Sequence, residues 1–314
     1  MISPTLVRTL AMDPAAHPRG QPHISSASGL VIVGGWFYFV ADDENHLIAL
    51  RGNDVESGVL GLRPLEEARL PVDHAERKRQ KRDLEALFLV PGDGHRPSML
   101  VAWGSGSRPR RDVAYMVQLD AGGGLASAAR TVSVAKLHDA LRSHTPGLNI
   151  EAGLVLGDDL CLFSRANAGT PLNGCFRIGL AQAIDFLLAD EGRAELPPVR
   201  FTELDLGRMG EVPVGITDAT ALGNGRWLLS AVAENTSNAY DDGRCEGTML
   251  VACSPDGKVA WKGRLDGASK VEGIAFDGHG TLWLTTDADA PGVPSQLRRL
   301  PWPPPGFLRA APEP

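Results

Sequence analysis

The sequence has few of the features on which several structural classes depend. Four cysteines in 314 residues are too sparse for a disulfide scaffold and lack the C-x-x-C spacing of many metal and redox sites. No apolar run reaches the roughly 18 residues of a membrane span, and Met1 to Gly20 lacks the basic-then-apolar order of a secretory signal. We therefore expect a cytoplasmic protein with reduced, buried cysteines. These are Cys161, Cys175, Cys245 and Cys253.

An excess of positive charge is also missing. Lysine and arginine number 31 against 38 aspartates and glutamates, which gives a net charge of −7. The one dense basic run, Arg77 to Arg82, either directs cations at a neighbouring site or forms a solvated loop. Because proteins that bind polyanions normally present a basic surface, we expect neither nucleic acid nor membrane as a partner.

Glycine and proline, by contrast, are abundant, with 36 and 23 residues, well above their usual share. They separate one pattern that occurs five times. In each copy a small or acidic residue, here called the anchor, precedes an apolar run, a turn and a second apolar run, which predicts a β-hairpin. The anchors are Ser28, Glu85, Glu151, Asp218 and Glu272.

Two further strands complete most copies, so each predicts a four-stranded antiparallel sheet. Third strands are expected at His46 to Leu50, Val113 to Leu119, Cys175 to Leu180, Thr248 to Cys253 and Gln296 to Leu300. Fourth strands are expected around Leu65 to Leu70, Ala129 to Val134, Val199 to Leu206 and Val259 to Leu265. The two longer copies leave room for short helices near Ala135 to Arg142 and Gln182 to Leu188.

This arrangement predicts an all-β fold, a five-bladed β-propeller spanning residues 1–314 as a single domain. The last copy ends before a fourth strand, and Thr5 to Met12 has no blade of its own. We therefore expect this N-terminal strand to close the last blade and seal the ring. A six-bladed ring is the alternative, but it needs a blade that the sequence lacks.

The anchors and the residues after each second strand should meet on one face of the propeller, at the mouth of its channel. Four carboxylates near the axis repel one another unless a cation neutralises them. Glu85, Glu151, Asp218 and Glu272 are therefore the candidate ligands of a divalent cation, and oxygen ligands favour Ca²⁺ over zinc. Alternatively, they accept hydrogen bonds from backbone amides of the next blade and hold the ring together.

Other polar residues are expected at the same mouth. Either His23 or His46 is a candidate general base, and otherwise both are surface or hydrogen-bonded histidines. Gly104 to Arg111 has the composition of an anion-binding loop but also of an exposed loop. The candidate ligand-binding residues are Lys81, Ser105, Ser107, Arg108, Arg165, Asn167, Glu234, Asn235 and Asp287.

Several stretches resemble the blade signatures of an uncharacterised bacterial β-propeller family. They are Lys81 to Leu87, Gly104 to Arg108, Ser164 to Asn167, Thr217 to Ala219, Ala233 to Thr236, Tyr240 to Gly243 and Lys270 to Gly273. More distantly, the Glu-Gly and Glu-Ala anchors resemble those of esterase-like phytases and of the gluconolactonase/regucalcin group. Those relatives are six-bladed hydrolases, and the latter group holds a divalent cation at the channel mouth. The resemblance implies that the anchor carboxylates Glu85, Glu151, Asp218 and Glu272 are the candidate functional residues.

Two functions remain open on these grounds. The first is a Ca²⁺-dependent hydrolase, a monomer acting on a small anionic ester, lactone or phosphate, with Glu85 or Glu272 as candidate base. The second is a non-enzymatic propeller that binds a protein, peptide or sugar, in which the carboxylates are purely structural. A bound cation would distinguish the two.

Overall fold

The computed structural model describes residues 1–167, 169–190, 193, 195–235, 244–267, 270–288, 290 and 292–307. Its strands form five antiparallel sheets. The chain begins with β1 (Thr5–Thr9), which does not pair with the strands that follow it directly. Blade 1 then consists of β2 (Ala27–Val33), β3 (Trp36–Ala41), β4 (His46–Arg51) and β5 (Gly61–Pro64).

Blades 2 to 4 follow in chain order. Blade 2 consists of β6 (Leu84–Val90), β7 (Met99–Gly104), β8 (Val113–Gln118) and β9 (Arg130–Ser133). Blade 3 consists of β10 (Ile150–Leu156), β11 (Asp159–Ser164), β12 (Asn173–Gly179) and β13 (Val199–Leu204). Blade 4 has five strands, β14 (Arg208–Met209), β15 (Val212–Gly223), β16 (Arg226–Asn235), β17 (Arg244–Cys253) and β18 (Val259–Arg264).

Blade 5 joins the two ends of the chain. It consists of β19 (Val271–Phe276), β20 (Thr281–Thr286), β21 (Gln296–Pro301) and, outermost, β1. Thr5 pairs with Arg299 and Thr9 with Gln296 in an antiparallel ladder. The prediction of a five-bladed ring closed by the N-terminal strand is confirmed.

Among the residues that the structure describes, three α-helices and three short 3-10 helices connect these strands. The α-helices are α1 (His74–Gln80), α2 (Ala135–Arg142) and α3 (Leu180–Leu188). The 3-10 helices span Pro14–Ala16, Gly52–Asp54 and Pro109–Arg111. No helix in the described part of the chain is long and apolar enough to cross a membrane.

One local prediction was wrong. The fourth strand of blade 1 is β5, and not Leu65 to Leu70, since Gly61 pairs with Ala49 and Pro64 with His46. Of the two alternatives for the basic run, the solvated loop is not found: Arg77 to Gln80 end α1, whose start is capped by the Asp73 side chain at the Glu76 amide, 2.8 Å away. Lys81, which follows the helix, directs its ammonium at Asp42 and Asp83.

The core lies between neighbouring blades, where apolar side chains of facing sheets interdigitate. Phe88 and Trp103 of blade 2 pack with Phe176 of blade 3, for example. Three of the four cysteines are buried as expected, whereas Cys245 is half-buried, and all four are free thiols. The innermost strands β2, β6, β10, β15 and β19 contact one another in sequence, and β19 contacts β2. The ring is therefore closed around a narrow axis.

Candidate functional site

A β-bulge in the innermost strands positions the anchor side chains at the channel mouth. In β6 the ladder passes from Leu84 to Ala86 while its partner strand advances by one residue, so Glu85 is the extra residue. Glu151 and Glu272 are the extra residues of β10 and β19 in the same way. A bulge changes the direction of one side chain, which no longer follows the alternation of the strand. The three bulges bring the three carboxylates together.

The three glutamates form one buried group, which we call the glutamate centre. Carboxylate oxygens of Glu85, Glu151 and Glu272 lie within 4.8 Å of one another, and each residue is less than a tenth exposed. The Ser28 hydroxyl, from the first blade, lies 2.7 Å from Glu85 Oε2 and 3.2 Å from Glu272 Oε2. Four of the five blades thus contribute to the centre.

Two buried cations border the glutamate centre. Arg165 Nη1 lies 3.5 Å from Glu151 and 3.6 Å from Glu272, and Arg165 Nη2 donates to Glu234. Lys270 Nζ lies 3.2 Å from Glu272, 3.6 Å from Glu234 and 3.9 Å from Asp287. The predicted proximity of Arg165, Glu234 and Asp287 to the anchors is therefore present in the structure.

Carboxylates outnumber cations in this group, and burial removes the water that would solvate them. Burial, with the neighbouring carboxylate of Glu151, raises the pKa of Glu85 well above its usual range. Burial also raises the pKa of Glu151 to about 8, because Glu272 adds to the effect and the Arg165 guanidinium offsets it only in part. The centre consequently gains stability from any bound proton or cation.

Asp218, the fourth predicted carboxylate, lies outside the glutamate centre. In β15 the extra residue is Thr217, and Asp218 follows it, at the place that small residues such as Ala86 and Gly273 occupy in other blades. Its Oδ2 accepts from Leu30 N at 3.3 Å and from Ile274 N at 2.7 Å. Asp218 thus links blade 4 to blades 1 and 5 across the axis, and Thr217 takes the position equivalent to the glutamates.

The small residues after the bulges allow this close approach. A Cβ atom on Gly29 would lie 2.5 Å from Leu87 N and 2.8 Å from Glu85 O, and both are backbone atoms of the neighbouring blade. Only glycine fits between two inner strands at that distance. The tight axis therefore explains why the glutamate side chains converge.

A second charged group, around Asp83, lies between blades 1 and 2. Lys81 Nζ contacts Asp42 and lies 2.9 Å from Asp83, while Arg111 donates to Asp83. Asp42, Asp83 and Glu85 also have carboxylate oxygens within 4.8 Å of one another. In this second group the Lys81 ammonium already supplies a cation.

The predicted anion-binding serines belong to the same Asp83 group. The Ser105 hydroxyl donates to Asp83 at 2.6 Å, and Ser107 Oγ lies 2.9 Å from Ser105 Oγ and accepts from Arg111 at 2.6 Å. Arg108 is exposed, whereas Arg111 is buried. Sequence reasoning therefore selected the exposed arginine of this loop and passed over the buried one.

The two candidate histidines lie in blade 1 and in the segment that precedes it. His46 is buried beside Glu44, with 3.9 Å between Nδ1 and Oε2, and burial lowers its pKa. His17, which the sequence did not single out, lies closer to Glu44, at 2.9 Å. His23 is half-buried and forms a β-bridge with Ala11.

The remaining predicted residues have local surroundings. The Asn167 Oδ1 atom accepts from the amide of Thr170 at 2.9 Å and so stabilises a turn. Asn235 is exposed at the end of β16. Asn149, not predicted, donates from Nδ2 to Glu151. Thr236 and residues 240–243, which carry part of the resemblance, lie outside the described residues.

The donor atoms of the glutamate centre suit a hard divalent cation. All three are carboxylate oxygens, without histidine or cysteine among them, which matches Ca²⁺ better than Zn²⁺. Because three buried carboxylates repel one another, a proton or a cation would be bound favourably among them.

Fold and site together define a five-bladed β-propeller with a buried acidic centre at its channel mouth. Residues 77–291 match the model of a family of unknown function, DUF6910. The match covers more than half of the chain, so the protein belongs to this family. No curated protein sequence matches it significantly.

Solved structures with the same general fold are distant in sequence. A PQQ-bound aldose sugar dehydrogenase from Streptomyces coelicolor is 14% identical with a TM-score of 0.50, over 95% of this chain and 98% of that one. A Myxococcus xanthus glutaminyl cyclase is 13% identical with a TM-score of 0.46, over 95% and 97%. A GH43_1 enzyme from Xanthomonas citri is 11% identical with a TM-score of 0.47, over 93% and 90%. At these identities the likeness shows the fold alone.

Proposed function

We propose that the glutamate centre binds a divalent cation, with Ca²⁺ as the favoured ion, and that the protein is a hydrolase of a small anionic ester, lactone or phosphate. The observation that supports this proposal is the convergence of Glu85, Glu151 and Glu272 within 4.8 Å at the channel mouth. The resemblance of the anchors to those of esterase-like phytases and of the gluconolactonase/regucalcin group agrees with it.

When bound, such an ion supplies Lewis-acid polarisation of a substrate oxygen and lowers the pKa of bound water. Residues of the chain itself would bind the substrate and transfer the proton. Arg165 and Lys270, held by Glu234 and by the centre, attract an anionic substrate to the mouth. Glu85 is the better candidate base of the two predicted, because Glu272 is already engaged by Lys270 at 3.2 Å.

The alternative is a non-enzymatic propeller whose carboxylates are structural, and one observation favours it. Arg165 and Lys270 already pair with Glu151, Glu234 and Glu272. If these ion pairs satisfied the centre, a metal would add nothing to stability. The two proposals therefore differ in whether a cation stabilises the protein.

Metal analysis of protein purified without chelator, with a thermal-shift screen over Ca²⁺, Mg²⁺, Mn²⁺ and Zn²⁺, tests cation binding. A panel of small anionic esters, lactones and phosphates then tests hydrolysis, with Glu272→Gln compared to the exposed control Glu203→Gln. The proposal predicts hydrolysis that needs the ion and is lost in Glu272→Gln only. A cation that raises the melting temperature without hydrolysis of any substrate would leave a metal-bound binding module.

A further inference from the structure

Blade 1 carries a pocket on the face of the propeller opposite the glutamate centre. Trp36 begins β3 directly after the Gly34 and Gly35 turn, and it pairs with Arg51 at the end of β4. Both residues thus lie at the strand ends remote from the channel mouth. The pocket they line has a volume of about 490 Å³, within the range of about 300–1,000 Å³ typical of small-molecule sites.

The walls of the pocket are largely apolar and partly aromatic. Trp36, Ala49, Leu62 and Leu125 line it. The indole of Trp36 stacks on Tyr38, with 6.0 Å between ring centroids and 20° between planes, and Tyr38 is fully buried. The indole is therefore held in a fixed position as part of the apolar wall.

Positive charge borders this apolar surface. The Arg51 guanidinium carbon lies 4.0 Å from the Trp36 ring centroid, and Arg63 lines the same pocket. Both arginines are exposed, and neither forms an ion pair with a carboxylate of the described residues. Asp54 also lines the pocket, but it accepts a hydrogen bond from Ser57 at 2.6 Å and its charge acts on Arg8.

We propose that this pocket binds a small amphipathic anion, an aromatic body carrying one carboxylate or sulfonate. The apolar walls, with the edge of the Trp36 ring, would receive the aromatic body. Arg51 and Arg63 would form charge-assisted hydrogen bonds with the acidic group. A basic pocket in a chain of net charge −7 selects for such a ligand over a neutral one.

Gly61 gives a way to fill the pocket without disturbing the fold. It lines the pocket, and a Cβ atom there would meet only Ala49 O, at 3.8 Å, an ordinary contact. Alanine at this position therefore leaves most of the space free. Leucine would occupy it.

The test uses 8-anilinonaphthalene-1-sulfonate and its uncharged analogue N-phenyl-1-naphthylamine, titrated by fluorescence into the full chain. We expect the sulfonate to bind more tightly than the uncharged analogue. Gly61→Leu should abolish binding, while Gly61→Ala binds as the wild type does. Arg51→Gln and Arg63→Gln should each weaken sulfonate binding by about fivefold, as the loss of roughly 1 kcal/mol implies.

Arg177→Gln is the matched control, because Arg177 also stacks on a tryptophan, Trp227, at 4.9 Å from its ring centroid, away from this pocket. It should leave affinity unchanged. Sulfonate binding that is absent, or that persists equally in Gly61→Leu and in both arginine variants, would overturn the proposal. If Gly61→Leu does not fold, the arginine variants and the uncharged analogue still test whether the pocket binds the anion. None of these results depends on the glutamate centre.

Discussion

The glutamate centre and Asp218 both lie on the innermost strands, one register position apart relative to the bulge of each strand, yet they have different partners. Asp218 accepts hydrogen bonds from backbone amides of two other blades and so holds the blades together, which is a structural role. The three glutamates face one another, and the side chains of Ser28, Arg165 and Lys270 contact them. An acidic residue near the axis is therefore not by itself a metal ligand. A shift of one residue in strand register determines whether its carboxylate contacts backbone amides or other side chains.

The largest effect is expected from Asp218→Ala. It leaves the amides of Leu30 and Ile274 buried without an acceptor, at about 1–3 kcal/mol for each. We expect the free energy of unfolding to fall by about 4 kcal/mol in chemical denaturation, with the stabilisation by Ca²⁺ preserved. Asp218→Asn keeps an acceptor oxygen and should recover most of the loss. An equal loss of unfolding free energy in both variants would contradict the structural role of Asp218.

Glu151→Gln should have little effect on stability and a large effect on cation binding, the opposite of Asp218→Ala. Glutamine keeps the shape of the side chain but cannot ionise, so repulsion within the centre falls and stability without metal should be unchanged or higher. Affinity for Ca²⁺, measured by titration calorimetry, should fall about a hundredfold, or roughly 2.7 kcal/mol. A destabilisation of about 1–3 kcal/mol with no change in metal response would instead assign Glu151 the structural role of Asp218.

The glutamate centre should also make stability depend on pH. The pKa of Glu151 is about 8 in the folded protein against an ordinary value of 4.5, so the folded state binds more protons between these values. The free energy of unfolding in EDTA should therefore fall as pH rises from about 5 to 8, by up to about 1.4 kcal/mol per pH unit. The slope should be smaller in Glu151→Gln and with saturating Ca²⁺. A slope that is the same in all three conditions would argue against the centre as its source.

The smallest effect is expected from Ser28→Ala. The Ser28 hydroxyl contacts Glu85 and Glu272 and orients both, so its loss should weaken Ca²⁺ binding about fivefold, or roughly 1 kcal/mol. Thr217→Val in blade 4 is the matched control, because Thr217 donates to Val271 O at 2.6 Å and not to the centre. It should change stability and leave Ca²⁺ affinity unaltered.

The architecture was predictable because its signals are local and repeated. Alternating apolar runs and glycine-rich turns mark each hairpin, and Thr5 to Thr9 was identifiable as the closing strand since blade 5 lacked one. Helix α2 was predicted at its observed bounds, Ala135–Arg142. The outer strand β5 was misplaced because Gly61–Pro64 is short, mostly exposed and without an apolar pattern.

The site was predictable only in part, because bulges shift register by one residue. Glu85, Glu151 and Glu272 were identified from their place before an apolar run. Asp218 was aligned with them because it also precedes an alanine, although the small residue that follows each glutamate corresponds to Asp218 itself. Buried partners such as Arg111 come from long-range packing, and no pattern in the chain marks them.

The central claim is that the glutamate centre binds a cation, and calorimetric titration of Ca²⁺ into chelator-treated protein at pH 7 tests it most directly. We expect binding of one ion per chain with release of protons, because Glu151, with a pKa of about 8, is largely protonated at pH 7 without metal. The proton count comes from repeating the titration in buffers of different ionisation enthalpy. An absence of binding by Ca²⁺, Mg²⁺ and Mn²⁺, with the same melting temperature in EDTA, would contradict it and leave the carboxylates as structural groups.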